Sequence, residues 1–219
     1  MPFYRDRIYP HLVRMLGDPP PIRKVRRRIV ARAQGKVLEI GVGSGANFVH
    51  YDPAKVSKLY ALEPNPGMLR LADAQRRQTA LDVEFLDLPG ERIPLADGTV
   101  DTVVSTFTLC TIPGVLEAIQ GIARVLKPDG RLILFELGLA PDPRVQAWQL
   151  RLSAIHHWLF QGLYLTRTFR RCCSRADSGS STWRRGTLPH SRSRRHTLGG
   201  EPPFCNPLAD LGSEPHLVG

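Results

Sequence analysis

Residues Val37-Leu38-Glu39-Ile40-Gly41-Val42-Gly43-Ser44-Gly45 pass from an apolar run into alternating glycines. The apolar part predicts a buried parallel strand. The glycines let the backbone turn sharply and approach a ligand closely, where a side chain would collide. A G-x-G-x-G alone is shared by several nucleotide-binding folds and by plain strand–helix turns. Two acids sharpen it: Glu39, two residues before the first glycine, and Glu63, at the end of the next apolar run.

Working outward, apolar runs at 36–40, 59–62, 83–85, 100–105 and 132–137 predict five strands. Helices are expected between them. Asn65-Pro66-Gly67 opens one, with Asn65 as cap and Pro66 at the first helical position. Pro113 starts another with Val115, Ile119, Ile122 and Leu126 on its apolar face, and Pro128-Asp129-Gly130 is expected to end it. A further helix is expected at 144–160, with Val145, Trp148, Leu152, Ile155 and Leu159 on one side. Apolar strands alternating with helices give an α/β fold: a doubly wound, mostly parallel sheet with helices on both faces.

Residues 1–34 predict a basic helical cap. Tyr4, Ile8, Leu12 and Met15 form one apolar stripe, and Ile22, Val25, Ile29 and Ala33 another. Between the latter lie Arg23, Lys24, Arg26, Arg27 and Arg28, expected as a solvated face, with RNA or anionic lipid as the alternative partner. The 219 residues suffice for one complete domain, and 42% are apolar. No apolar run approaches the roughly 20 residues that span a bilayer. No basic-then-apolar leader opens the sequence. The four cysteines lack CxxC spacing, so neither a zinc site nor a disulfide framework is expected. The expectation is a cytoplasmic protein without a structural metal.

In an open parallel sheet a ligand binds at the carboxyl ends of the strands, beside the first strand. Gly41, Gly43 and Gly45 fall there. Glu63 follows about 20 residues later, where an acid can accept hydrogen bonds from both ribose hydroxyls. Met68 begins the next helix, where its thioether either covers an adenine face or fills the core.

In these motifs the sequence resembles the class I S-adenosylmethionine-dependent methyltransferases over about residues 1–167. VLEIGVGSG matches the first motif of that family and ALEPNPGML its acidic second motif. LPGERIPLADGTVDTVVSTFTLCTI matches the third and fourth, with RVLKPDGRLILFE after them. The dinucleotide fingerprint G-x-G-x-x-G is not met, because Ala46 and Asn47 follow Gly45.

The resemblance implies a Rossmann-like fold and S-adenosyl-L-methionine as cofactor. It implies that Gly41, Gly43 and Gly45 underlie the methionine and ribose portions, and that Glu39 orients this loop and reaches the cofactor's amino group through water. Glu63 would bind the ribose hydroxyls, and Met68 would cover adenine. Gly90 and Glu91 would edge the adenine pocket. Pro89 stands where many relatives carry Asp, and Asp87 is out of register, so that contact is expected from backbone alone. Thr106 and Leu109 would lie where cofactor meets acceptor. Tyr4 and Tyr9 would belong to a helix closing over the cofactor. The subgroup most resembled is that of small thiol methyltransferases, through VVSTFTLCTI with Cys110 and through Gly35, although their hydrophobic anchor is lacking. Cys110 itself is expected in the core rather than as a nucleophile. No residue announces itself as general base; His156, His157 and Tyr164 are candidates, with an interfacial aromatic role as the alternative.

Near residue 168 the character changes. Residues 168–219 hold eight Arg, no Lys and four acids, supplying +4 of the formal +10. Read one base out of frame, Thr168 to Cys173 permits Ile-Pro-Ala-Leu-Leu, the beginning of a family helix. Asp177-Ser178 permits Phe, and Arg185 to Arg194 permits Gly-Tyr-Leu-Ala-Pro-Phe-Pro-Lys-Ser, resembling a late family motif. The segment is therefore expected to be an out-of-frame tail, from a mutation or a sequencing error, with a disordered Arg-rich interaction tail as the alternative. The gene sequence around codon 168 distinguishes them. An out-of-frame tail removes the last helix and strand pair of the usual seven-stranded sheet. It exposes an apolar edge and lets cofactor binding survive better than turnover.

The expected organisation is a cap at 1–34, a methyltransferase domain at 35–167 and the tail. The expected function is methyl transfer to a small molecule, with a thiol as the candidate acceptor. The alternatives are a cofactor-binding but impaired product of a frameshifted gene and an RNA-associated methyltransferase. Nucleic acid is not the expected partner.

Overall fold

In the computed structural model of the protein, residues 3–137, 142–159 and 162–164 are described. The tail from 168 onward, with its frame reading, lies outside them, as do the side chains of His156 and His157.

The apolar runs form five parallel strands: β1 (Gly35–Ile40), β2 (Val56–Leu62), β3 (Val83–Leu86), β4 (Val100–Thr106) and β5 (Leu126–Phe135). Their order is β3-β2-β1-β4-β5. The chain winds outward from β1 through β2 to β3, then crosses back to β4 beside β1, so the switch point falls between β1 and β4. Ile40 pairs with Leu62 on one side and with Ser105 on the other. The loops after β1, β2 and β4 therefore leave the sheet at one edge, as expected for a doubly wound fold.

Alternate β1 residues feed two cores. Val37 packs with Val30, Ala33, Phe48 and Leu59 on one face. Leu38 and Ile40 pack with Val103, Ile119 and Ile122 on the other. Helix α3 (Pro66–Arg76) begins at Asn65, whose Oδ1 accepts the Gly67 and Met68 N–H groups at 2.8 and 3.2 Å. In α4 (Val115–Val125), Val115, Ile119 and Ile122 are buried as expected. Leu126 instead starts β5. It pairs with Val100, and pairing resumes at Arg131 opposite Thr102, so Pro128-Asp129-Gly130 bulges within the strand. Pro lacks the N–H that a ladder needs, and a bulge accommodates it. Asp101 steadies the irregularity by accepting from Lys127 Nζ and from the Lys36 N–H.

The cap comprises a π-helical turn (Tyr4–Ile8), α1 (Tyr9–Leu16) and α2 (Pro20–Val30). Its first expected stripe is not a core stripe: Ile8 is exposed and Met15 is 73% exposed. The segment is held instead by polar contacts with α3. Asn65 Nδ2 donates to the Arg5 carbonyl and Arg70 Nη2 to the Asp6 carbonyl, each at 3.0 Å. Gly67 permits this, because a Cβ there would collide with the Asp6 carbonyl and the Pro10 ring.

Helix α5 spans Pro143–Leu159. Val145 and Trp148, expected on its apolar side, are exposed, Trp148 by 61%. Among the described residues β5 pairs only with β4 and forms one sheet edge. No described helix is long and apolar enough to cross a membrane.

Candidate cofactor site

A cavity of about 700 Å³ opens at the carboxyl ends of β1, β2 and β4. The glycine loop forms its floor. Gly41, Gly43 and Gly45 have φ of 65°, 55° and 80°, a region that favours glycine. A Cβ on Gly43 would meet nothing nearer than the Gly41 carbonyl at 4.0 Å, so the space above it is open for a ligand. The Gly41 and Val42 N–H groups donate to the Leu62 carbonyl, locking the loop to the end of β2.

Glu63 stands beside this floor. Its Oε2 accepts the Gly43 N–H at 3.1 Å and its Oε1 the Asn65 N–H at 2.9 Å. Burial pushes its carboxyl up to about 7 against the pull of those two bonds. Met68 is buried and lines the cavity, as do Gly90 and Glu91; Glu91 Oε1 accepts the Gly114 N–H at 3.1 Å. Tyr9 reaches the cavity from the cap, with its ring 6.3 Å from that of Tyr4. Burial, then the nearby Glu63 charge, push the Tyr9 hydroxyl up to about 12.

Glu39 does not line the cavity. It is buried behind the loop, accepting from Asn47 Nδ2 at 2.8 Å and the Tyr51 hydroxyl at 2.7 Å. Burial pushes its pKa up to about 7, opposed by those bonds and by the charge of Arg26. Its effect on the loop passes through Asn47. Asn47 Nδ2 also donates to Thr106 Oγ1 at 3.0 Å, and Arg26 Nη1 donates to both Asn47 Oδ1 at 3.0 Å and Thr106 Oγ1 at 2.6 Å.

Arg26 corrects the expectation of a solvated basic face. Arg23, Lys24, Arg27 and Arg28 are exposed, but Arg26 is 8% exposed and lines the cavity. Its guanidinium carbon lies 5.1 Å from the centroid of the Phe107 ring. A helical signal existed: position 26 shares a face with Ile22 and Ile29.

Thr106 lines the cavity and Leu109 does not. It is 1% exposed and packed in the core with Leu38 and Ile112. The loop after β4 turns back at Phe107, whose φ of 57° is unusual for a bulky residue. Glu136, which ends the motif RVLKPDGRLILFE but is assigned no role from sequence, explains the turn. Its buried carboxylate accepts from the Ser105 hydroxyl at 2.6 Å and from the Thr108, Leu109 and Cys110 N–H groups at 3.0–3.1 Å. Cys110 is fully buried, and burial followed by the Glu136 charge pushes its thiol well up, as suits a core residue. Tyr164 is half-buried, and its N–H donates to the Cys110 carbonyl.

The residues present fit an adenosyl amino-acid cofactor. The open floor over Gly43 admits a ligand, Glu63 keeps acceptor capacity, and Arg26 has a buried Nε without a hydrogen-bond partner. Fold and site thus define a doubly wound protein built to hold such a group at its first crossover. Comparison with known proteins agrees. Residues 38–134 match a methyltransferase domain family. The chain is 32% identical to human thiol S-methyltransferase TMT1B over 193 residues, covering 85% of this chain and 71% of that protein. It is 32% identical to human thiol S-methyltransferase TMT1A over 145 residues, covering 64% and 58%. The fold is shared with the YcgJ protein of Bacillus subtilis, with a TM-score of 0.59 at 20% identity, covering 70% of this chain and 65% of that one. The chain belongs to the class I S-adenosylmethionine-dependent methyltransferases, and S-adenosyl-L-methionine is its cofactor.

Proposed function

We propose that the protein transfers the methyl group of S-adenosylmethionine to a small-molecule acceptor, and that the acceptor is a thiol. One observation carries this. The cavity that contains the glycine floor and Glu63 is also lined by the uncharged residues Val13, Phe107, Thr111, Ile112 and Pro113. Those residues suit a small, largely apolar acceptor beside the cofactor. The relatives named thiol S-methyltransferases support the acceptor class.

The bound cofactor supplies an electrophilic methyl on a sulfonium. The protein's own contribution is to bind, orient and exclude water. In this reading Gly41, Gly43 and Gly45 let the cofactor approach the backbone. Glu63 accepts from its ribose hydroxyls, Met68 covers its base, Gly90 and Glu91 border that base, and Thr106 meets its other end. Glu39 acts through Asn47.

The cavity's described acids are already engaged: Glu63 and Glu91 with backbone N–H groups, Asp18 with Arg23. Tyr9 keeps its proton at neutral pH. In this reading none of them deprotonates an acceptor, because Glu63 and Glu91 face the cofactor's nucleoside and Asp18 pairs with Arg23 and Arg26. A thiol needs no such help, since an appreciable fraction is thiolate near neutral pH, whereas an alcohol is not.

The test is methyl transfer from labelled S-adenosylmethionine to alkyl thiols and to the matching alcohols. Label is expected in the methyl sulfides only, at a rate rising with pH towards the thiol's own pKa. Absence of any methyl sulfide from protein that binds S-adenosylhomocysteine would overturn the acceptor assignment.

A further inference from the structure

Four arginines line the cavity among the described residues: Arg5, Arg14, Arg23 and Arg26. Three are exposed, and two of those are paired with neighbouring acids, Arg5 with Asp6 and Arg23 with Asp18. Arg26 differs in kind. It is more than nine-tenths buried, and Nη1 is pinned by Asn47 and Thr106. Its Nε is buried without a hydrogen-bond partner. Asp18 Oδ1 forms an ion pair with it at 3.5 Å, too long for a hydrogen bond, so the charge has a neighbour while the Nε–H stays without an acceptor.

A buried guanidinium with one nitrogen fixed and another unsatisfied is an incomplete arrangement. Its planar fork is completed best by a carboxylate, which accepts two parallel N–H bonds. The position of Arg26 says which carboxylate. Glu63 directly follows β2 and Thr106 ends β4, on opposite sides of β1. A cofactor whose ribose lies at Glu63 crosses the glycine floor towards Thr106, bringing its amino-acid end to the guanidinium that Thr106 holds. That end carries a carboxylate that leaves water on binding and needs a replacement partner.

We infer that Arg26 is the carboxylate-binding residue of this cavity, and that it takes the α-carboxylate of the cofactor's methionine portion. The inference rests on the cavity being the cofactor site. It makes the helical cap a part of cofactor recognition, because Arg26 comes from α2 while its hydrogen-bond partners Asn47 and Thr106 come from the sheet domain.

The experiment compares two ligands by calorimetry. S-adenosylhomocysteine carries the amino-acid end; 5′-methylthioadenosine shares the nucleoside and thioether and lacks it. In Arg26→Met, affinity for S-adenosylhomocysteine is expected to fall by about tenfold to a hundredfold, with affinity for methylthioadenosine unchanged. Retained methylthioadenosine binding also reports that the variant is folded. Should Arg26→Met fail to fold, Arg26→Lys serves, with a smaller loss confined to S-adenosylhomocysteine. An equal loss for both ligands, or no loss for either, overturns the inference. Unchanged S-adenosylhomocysteine binding together with a raised KM for 3-mercaptopropionate, but not for 2-mercaptoethanol, would move the carboxylate from cofactor to acceptor and overturn the cofactor assignment. If the unsubstituted protein binds neither nucleoside, the cofactor site itself is misplaced and the inference falls with it.

Discussion

Glu63 Oε2 accepts the Gly43 N–H at 3.1 Å, so the acid directly after β2 holds the loop that follows β1. One carboxylate thereby shapes the floor of the cavity and presents its remaining lone pairs above it. The two functions are coupled, and removing the side chain should damage both.

Glu63→Ala is expected to weaken S-adenosylhomocysteine and methylthioadenosine alike, by roughly 30- to 150-fold, or about 2–3 kcal/mol. The ribose is common to both ligands, so the pattern differs from that expected at Arg26. Calorimetry with the two ligands checks it, and a loss confined to S-adenosylhomocysteine would place the ribose elsewhere.

The pH dependence of binding follows from the same group. Burial raises the Glu63 carboxyl to about 7, so it is largely protonated in slightly acidic solution. Ribose hydroxyls donate best to the ionised form, and binding must then expel the proton. The affinity for methylthioadenosine should rise about tenfold per pH unit up to about pH 7 and level off above it. Titrations between pH 5.5 and 8.5 in two buffers of different ionisation enthalpy should show proton release on the acidic side only. A flat profile would mean that the carboxylate is not in contact with the ligand.

Glu136 is expected to matter for stability more than its distance from the glycine loop suggests. Glu136→Ala leaves the Ser105 hydroxyl and three successive N–H groups without their acceptor, at a cost of at least about 3 kcal/mol. Glu136→Gln retains one carbonyl oxygen and should lose less. Urea unfolding of the two variants provides the comparison; equal midpoints for both and for the unsubstituted protein would contradict the role.

The sheet was legible because its signals are redundant. Each buried parallel strand is a continuous apolar run, and Asn65 and Pro66 mark a helix start by local chemistry alone. The glycine loop and Glu63 were legible for the same reason, as backbone demands confined to a few neighbouring residues. Arg26 was not, because charge composition suggested solvent while only the tertiary fold supplies Asn47 and Thr106 as partners. Leu109 was misplaced because proximity to Thr106 in sequence does not fix a side chain's direction after the turn at Phe107. Pro128 reads as the end of a helix yet sits in a strand bulge, because turn residues suit both positions. Tyr4, Ile8 and Met15 form an apolar stripe in sequence, yet polar contacts with α3 secure that segment.

Glu136 lies just beyond β5 yet sets the loop that follows β4. This imposes an order on the maturation of the site during synthesis. A nascent chain that has emerged through Thr106 already carries every group assigned to the glycine floor, to Glu63 and to the Arg26 network. The N–H groups of Thr108, Leu109 and Cys110 must wait for a carboxylate some thirty residues downstream. The residues assigned to the nucleoside are thus synthesised before the carboxylate that shapes the loop after β4.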